Sequence, residues 1–266
     1  MQQVDDFVAE STALYDILKP LSVADLARPT QFKDWTVAQV IQHLHIFNIM
    51  ADHSLNDPDR FAEEWAKFGA AMRGGESMVS ITERLLSGLT GPDLLDAWIG
   101  RVHDMAPRFA AADPRARVKW AGPEMSVRSS ITARQMETWA HGQEVFDLLG
   151  IIRQDTDRIR NIAHLGAQTY GWAFANRGEP VPDPMPHIRL ASPSGAIWEW
   201  GETSDTEHIQ GSAVEFCQVV TQTRNIADTT LSVTGANAAR WMAIAQCFAG
   251  APEDPPAPGQ RGPATR

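Results

Sequence analysis

A segment with proline at every second position, residues 179–186, divides this chain into two parts of different character. Proline lacks a backbone N–H and fixes its φ angle, so such a run cannot continue a helix or lie in the middle of a sheet. It favours a stiff, extended linker instead. We therefore predict one domain at residues 1–178 and a second at residues 187–250, with this linker between them.

The first part has the periodicity of amphipathic helices. Apolar residues recur at helical spacing directly after Thr36, which is a suitable N-cap: Val37, Val40, Ile41, Leu44 and Phe47. A further helix is predicted from Ser129 or Ser130 to Leu149, because Gly150 can provide a left-handed stop. Residues 54–75 are polar and are predicted to form a loop that carries a short helix. Four long amphipathic helices with modest loops predict a four-helix bundle.

The part beyond the linker alternates like a small sheet with helices. Strands are predicted at residues 187–191, 196–200, 208–211 and 231–234, and helices at 212–223 and 237–248. The fold class is therefore α+β, with the helical bundle first and a small α+β domain second. Residues 251–266 are dominated by Pro, Gly, Ala and Arg, a composition that predicts disorder.

Charge and composition narrow the classes of partner and compartment. The chain has 23 basic and 33 acidic residues, a net charge of −10. An acidic surface repels phosphate backbones and anionic headgroups, so we expect neither nucleic acid nor membrane as a partner. The N-terminus lacks the pattern of a signal peptide, and no stretch approaches about 18 apolar residues. Cys217 and Cys247 are expected to be free buried thiols, so a cytoplasmic location follows.

Glu137 and His141 are the first candidates for chemistry. They lie four residues apart on a predicted helix, so their side chains leave the same face. One divalent ion can bind both at about 2.0–2.2 Å. Such pairs also occur on solvated helix faces, which is the alternative interpretation. The neighbours Met136, Trp139 and Ala140 are apolar, however, and a carboxylate in apolar surroundings requires a partner.

His43 extends this pair to a group of three. It lies between Val40 and Phe47, at the edge of the inward-facing stripe. A single histidine there is usually a hydrogen-bonded core residue, but helical bundles also build metal sites from facing helices. His45 points to another face and His53 lies about three turns further on, so neither is predicted to share the ion. The other histidines are predicted to be structural or exposed: His103, His164, His187 and His208.

Two segments around these residues resemble a known family. Asp34-Trp35-Thr36-Val37, followed by Val40, Ile41, His43 and Leu44, resembles the signature at the start of the second helix in the mycothiol-dependent maleylpyruvate isomerase group. Arg134-x-x-Glu137-Thr138-Trp139-x-His141-Gly142 resembles the second signature of that group, which belongs to the DinB-like metal-binding helical bundles. The resemblance covers about residues 5–178. It implies that His43, Glu137 and His141 bind a divalent metal ion, usually zinc. Nickel, iron and manganese also suit these donors.

The C-terminal part resembles the group's second module, which is similar to sterol-carrier-type domains. In the isomerase an arginine of this module reaches toward the substrate carboxylates, and the resemblance places Arg224 in that role. The sequence before it, residues 220–223, departs from the isomerase pattern. An ordinary surface arginine is therefore the alternative, and the identity of the substrate stays open.

The resemblance and the ligand set together predict a function. Three protein ligands leave open positions on the ion, which is typical of a catalytic site. We predict a transferase or isomerase that uses a low-molecular-weight thiol such as mycothiol to attack a small electrophilic substrate. The alternatives are a metal-binding or regulatory protein without turnover, and a metal-assisted hydrolase. Bundles of this type often pair, so a homodimer is left open.

Overall fold

The chain forms two compact units that meet in sequence between Val145 and Phe146. The computed structural model describes residues 1–122 and 124–263. The first unit is helical and the second is a small mixed sheet with helices, so the fold is α+β as predicted. Within the described residues, no helix combines the length and the apolar character that crossing a bilayer requires.

The first unit is built around long helices. Its elements are α1 (Gln2–Leu18), α2 (Val23–Leu26), α3 (Val37–Asn56), α4 (Pro58–Arg73), α5 (Met78–Leu85), α6 (Gly91–Ala111), β1 (Arg117–Val118), β2 (Met125–Ser126) and most of α7 (Val127–Leu149). Helix α6 packs against α1 and α3, and α3 also packs against α4 and α5. The short strands β1 and β2 form an antiparallel pair that precedes α7 directly.

Helix α3 begins at the predicted cap. The Thr36 hydroxyl accepts a hydrogen bond from the Gln39 backbone N–H, and the Gln39 side chain binds the Thr36 backbone in return. This capping box satisfies two backbone donors at the start of the helix. The apolar stripe at residues 37–44 is fully buried, as its spacing predicted. The polar side chains of His43, Asn48 and Asp52 are buried as well, so α3 lies in the interior of the unit rather than on its surface.

The predicted loop at residues 54–75 is instead mostly helical. Asp57 caps α4 by accepting from the Arg60 backbone N–H, and Pro58 suits the first turn. The helix is polar except for one narrow face. Phe61 and Phe68 on that face are buried, and Phe68 packs beside Phe47 of α3. The loop prediction was wrong because only two apolar residues of the helix, seven positions apart, are buried, and two residues give a weak helical periodicity in the sequence.

The second unit contains a four-stranded sheet covered by helices. After a 3₁₀ turn at Asp157–Ile159, its elements are α8 (Arg160–Gln168), α9 (Tyr170–Ala175), β3 (His187–Ala191), β4 (Ile197–Trp200), β5 (His208–Ser212), α10 (Ala213–Val220), β6 (Ser232–Thr234) and α11 (Ala236–Ile244). The strand order is β4-β3-β5-β6, with β3 and β5 parallel and the other pairs antiparallel. The four predicted strands are confirmed to within one residue at their ends.

Helices α8 and α9 precede the proline-rich segment but pack within the second unit. Helix α8 packs against α10, and α9 packs against α11. The compact unit therefore starts before the predicted linker at residues 179–186. The apolar faces of these two helices are buried by partners from later in the chain, which local sequence does not reveal.

The C-terminal residues 251–263 differ from the predicted disorder. They contain no helix or strand, but their backbone is hydrogen-bonded within the second unit. The Gln222 side chain donates to the Glu253 carbonyl at 2.8 Å, and Arg261 donates to the Gln222 carbonyl at 2.9 Å. The Gly259 N–H also donates to Asp228. These partners are distant in sequence, so composition alone missed them; residues 264–266 lie outside the described part.

We expect Gly166→Ala to lower the free energy of unfolding of the second unit by about 1–3 kcal/mol. A Cβ there would lie 2.8 Å from Val220 Cγ2 and 3.1 Å from Phe216 Cε1, so α8 could not stay as close to α10. Urea denaturation measures the effect. Gly171→Ala is the matched control, because its Cβ would meet nothing closer than 3.9 Å. A loss of stability that is equal in both variants would contradict the close-packing explanation.

Candidate metal centre

Helices α3 and α7 bring the three predicted ligands together. Glu137 Oε2 lies 3.2 Å from His43 Nε2 and 3.4 Å from His141 Nε2. One donor atom from each of the three residues lies within 4.8 Å of the other two. The His43 and His141 side chains are 11% and 12% exposed, and that of Glu137 is 24% exposed, so the cluster is largely shielded but open at the carboxylate.

The spacing of these donors fits a divalent metal ion. Zinc in proteins has bonds of about 2.0–2.1 Å to imidazole nitrogen and similar bonds to carboxylate oxygen, which puts neighbouring ligands of a tetrahedron about 3.3 Å apart. The distances of 3.2 and 3.4 Å match that edge length. They are longer than the usual 2.7–2.9 Å of a charge-assisted hydrogen bond. The three residues therefore have the chemistry and the spacing of a metal site.

The protonation states also suit ligation. Burial lowers the pKa of His43 from 6.5 to about 4, so its imidazole is neutral at neutral pH. Burial opposes ionisation of Glu137, but hydrogen bonds from His141 and His43 outweigh it and hold the pKa of this carboxyl well below its usual value. Metal ligands must be a neutral imidazole and an ionised carboxylate, and these are the forms that the environment favours.

Aromatic rings surround both imidazoles. Phe47, one turn after His43 on α3, lies 4.7 Å from the His43 ring. Phe32 and Trp35 come from the loop before α3, and their rings lie 5.0 and 6.1 Å from the His141 ring. Phe32 was missed by the sequence reasoning, because its contact with α7 joins residues that are far apart in the chain.

A buried arginine lies next to the cluster. Arg134 precedes Glu137 by one turn of α7 and is 1% exposed. Its Nε donates to Asn48 Oδ1 on α3 at 3.0 Å, and its guanidinium lies over the Phe47 ring. Burial lowers the pKa of Arg134 to about 10, so it stays positively charged at neutral pH. The residue was part of the second signature, but no role was predicted for it.

Arg224 belongs to the second unit, where it has a structural partner. Its Nη2 lies 2.7 Å from Asp147 Oδ1, and its Nη1 donates to the Thr223 carbonyl at 2.7 Å. The side chain is buried, so the alternative of an ordinary surface arginine is wrong. A role of Arg224 toward the substrate stays a prediction.

The other histidines have separate surroundings. His45 is buried on α3, and burial lowers its pKa to about 4. His53 Nδ1 lies 2.7 Å from Glu64 on α4, and His164 Nδ1 accepts from Trp200 Nε1. In the described part of the chain, His43, Glu137 and His141 are the group identified as able to hold an ion.

Comparison with known proteins establishes the family. Residues 7–146 match the family described as the mycothiol maleylpyruvate isomerase N-terminal domain. The match covers more than half of the chain, so the protein belongs to that family. The matched span contains all three residues of the candidate metal centre.

Two curated relatives and two solved structures are also similar to this chain. Two Mycobacterium tuberculosis proteins, described as uncharacterized proteins MT0041 and Rv0036c, are each 38% identical over 253 residues, or 94% of this chain and 96% of theirs. The crystal structure of the mycothiol-dependent maleylpyruvate isomerase is similar with a TM-score of 0.53 at 15% identity, over 82% of this chain and 87% of that chain. A mutant of that enzyme with one histidine replaced by alanine gives 0.52 at 16% identity, with the same coverage. At 15% and 16% identity, the likeness to these two crystal structures shows the fold alone.

We expect His43→Ala and His141→Ala to abolish metal retention, because two protein ligands hold a divalent ion far more weakly than three. Elemental analysis of the purified, folded proteins measures the metal content. His53→Ala is the control, since His53 is also on α3 but pairs with Glu64. Stoichiometric metal in either ligand variant would show that the ion binds elsewhere.

Proposed function

We propose that the protein is a metal-dependent transferase or isomerase that uses a low-molecular-weight thiol and acts on a small electrophilic substrate. The observation that carries the proposal is the cluster of His43, Glu137 and His141. The Glu137 carboxylate lies 3.2 and 3.4 Å from the two imidazole nitrogens, and all three donor atoms lie within 4.8 Å of one another. Membership of the isomerase N-terminal family supports the thiol. The solved structure with the similar fold is that of a mycothiol-dependent enzyme, which makes mycothiol the first thiol to test.

The finer fold assignment belongs to the same proposal. Helices α1, α3, α6 and α7 are the long helices of the first unit, and we assign them to a DinB-like four-helix bundle. The sheet of the second unit, with its helices α10 and α11, is assigned to the sterol-carrier-like class. Both assignments accord with the fold likeness to the isomerase.

A bound ion would activate the thiol as the nucleophile of the reaction. A divalent ion with open positions lowers the pKa of a bound thiol and so provides a thiolate at neutral pH. Zinc fits the nitrogen and oxygen donors best, while nickel, iron and manganese can use the same ligands. The residues themselves contribute two imidazoles, of which His43 is held neutral by burial, and one carboxylate. The buried cation of Arg134 adds positive charge one turn away, which favours an anionic ligand at the centre.

The protein's own cysteines are poorly suited to this role. Cys217 and Cys247 are both buried. Burial raises the pKa of Cys217 well above its ordinary value, so its thiol stays protonated and unreactive at neutral pH. A separate small thiol is therefore the more suitable source of the thiolate.

The reaction that we propose is conjugate addition. The thiol loses its proton to solvent water, its sulfur forms a bond to an electrophilic carbon, and the π electrons move onto the group that activates the substrate. Rotation about the resulting single bond and expulsion of the thiolate would give an isomer. Protonation without expulsion would give a thioether conjugate. Neither outcome requires an oxidant or a reductant.

We expect thiol-dependent turnover when the zinc-loaded protein is assayed with mycothiol or glutathione against small α,β-unsaturated carboxylates, including maleylpyruvate. Glu137→Gln should lower the rate at least about 100-fold, because it removes the negative ligand. His53→Ala should retain the rate. Product formation followed by chromatography distinguishes isomer from conjugate.

The alternatives give different results in the same assay. Formation of a hydrolysis product at an equal rate without any thiol would identify a metal-assisted hydrolase. Stoichiometric zinc without turnover across the panel would favour a binding or regulatory protein and would contradict the enzyme proposal.

A further inference from the structure

His43 lacks the usual support of a metal-binding histidine. Its Nε2 faces Glu137, while its Nδ1 is buried and has no hydrogen-bond partner among the described residues. Histidines that bind metals almost always donate their second ring N–H to a carbonyl or carboxylate, which fixes the orientation of the ring. The orientation of His43 therefore depends on its contact with Glu137 and on packing against neighbouring rings, which are those of Phe47 at 4.7 Å and Trp35 at 5.4 Å.

The ring of Trp35 provides packing for both histidines. Its centroid lies 5.4 Å from that of His43, with the two rings tilted by 56°. It lies 6.1 Å from the centroid of His141, and the Trp35 and His141 rings are nearly parallel at 8°. Phe32 supports the same arrangement. Its ring meets His141 edge-on at 5.0 Å and Trp35 edge-on at 5.1 Å. Trp35 is thus in contact with one ligand from each of the two helices.

The loop that carries Trp35 is held in a strained conformation. Lys33 and Asp34 have φ angles of 52° and 57°. This left-handed geometry is unfavourable for Lys, whereas Asp tolerates it better. Backbone hydrogen bonds close the loop at both ends, from Thr30 N to Trp35 O at 2.7 Å and from Val37 N to Arg28 O at 3.1 Å. Strain of this kind persists where the surroundings fix the backbone, and it is concentrated at functional sites.

We infer that Trp35 is a positioning residue of the metal centre, with Phe32 as its support. The strained turn holds the indole against both imidazoles, and the indole does for His43 what a hydrogen bond to Nδ1 does elsewhere. Both rings are only partly buried, so they also form the boundary between the imidazoles and solvent. This inference rests on the proposed metal site, but it concerns residues outside the ligand set.

The test compares Trp35→Leu with Trp65→Leu. Trp65 is a matched control, because it is also a partly buried tryptophan of the first unit, but it stacks on Phe68 and Phe61. Zinc affinity is measured on the apoproteins by competition with a chromophoric chelator, and the melting temperature of each apoprotein is recorded. We expect Trp35→Leu to weaken zinc binding by about 10–100-fold and Trp65→Leu by less than about threefold. Trp35→Phe keeps a ring in place and should restore most of the affinity.

A second readout reports the geometry of the ligands. The visible spectrum of the cobalt-substituted protein should change in Trp35→Leu and stay unchanged in Trp65→Leu, because it depends on the arrangement of the donors around the ion. If Trp35→Leu does not fold, the zinc affinity and the cobalt spectrum of Phe32→Leu are measured instead. We expect weaker zinc binding and a changed spectrum in that variant as well.

The results separate this inference from the proposed function. Wild-type protein that binds no zinc would overturn both. Wild-type protein that binds zinc, with equal affinities in Trp35→Leu and Trp65→Leu, would overturn only the positioning role. If Trp35→Leu and Trp65→Leu lose the same melting temperature but only Trp35→Leu binds zinc more weakly, the positioning role of Trp35 is supported. A purely structural role would lower stability without lowering zinc affinity.

Discussion

The contact between the Glu137 carboxylate and the imidazoles of His43 and His141 is the interaction on which the candidate site depends. A carboxylate that is only 24% exposed is costly to ionise unless charges or hydrogen bonds compensate for the lost water. The two imidazoles supply those hydrogen bonds, and the contact of His43 with Glu137 joins α3 to α7. One turn further, Arg134 and Asn48 join the same two helices. These contacts fix how α3 and α7 are aligned along each other, and that alignment sets the distances between the three candidate ligands.

The parts of the structure that local pattern dictates could be predicted from the sequence. The buried stripe of α3 and its Thr36 cap follow from helical spacing and capping chemistry, and the strands follow from alternation. The grouping of His43 with Glu137 required more than spacing, because only a resemblance or a fold relates residues 94 positions apart. The structure brings them together as the signatures implied.

Contacts between distant residues explain what the sequence did not reveal. Helix α4 is anchored by only two buried phenylalanines, and the backbone of residues 251–263 is held by side chains such as that of Gln222. Arg224 is buried because Asp147, 77 residues earlier, pairs with it. The turn that places Trp35 against the imidazoles was likewise not predicted, since neither Lys33 nor Asp34 is a glycine that would mark a left-handed backbone.

The most direct test of the central claim is an anomalous difference map at the zinc absorption edge from crystals of the zinc-loaded protein. We expect one strong peak, about 2.0–2.2 Å from His43 Nε2, His141 Nε2 and a Glu137 carboxylate oxygen. A map with no peak between these three side chains, or with full-occupancy zinc bound only by other residues, would contradict it.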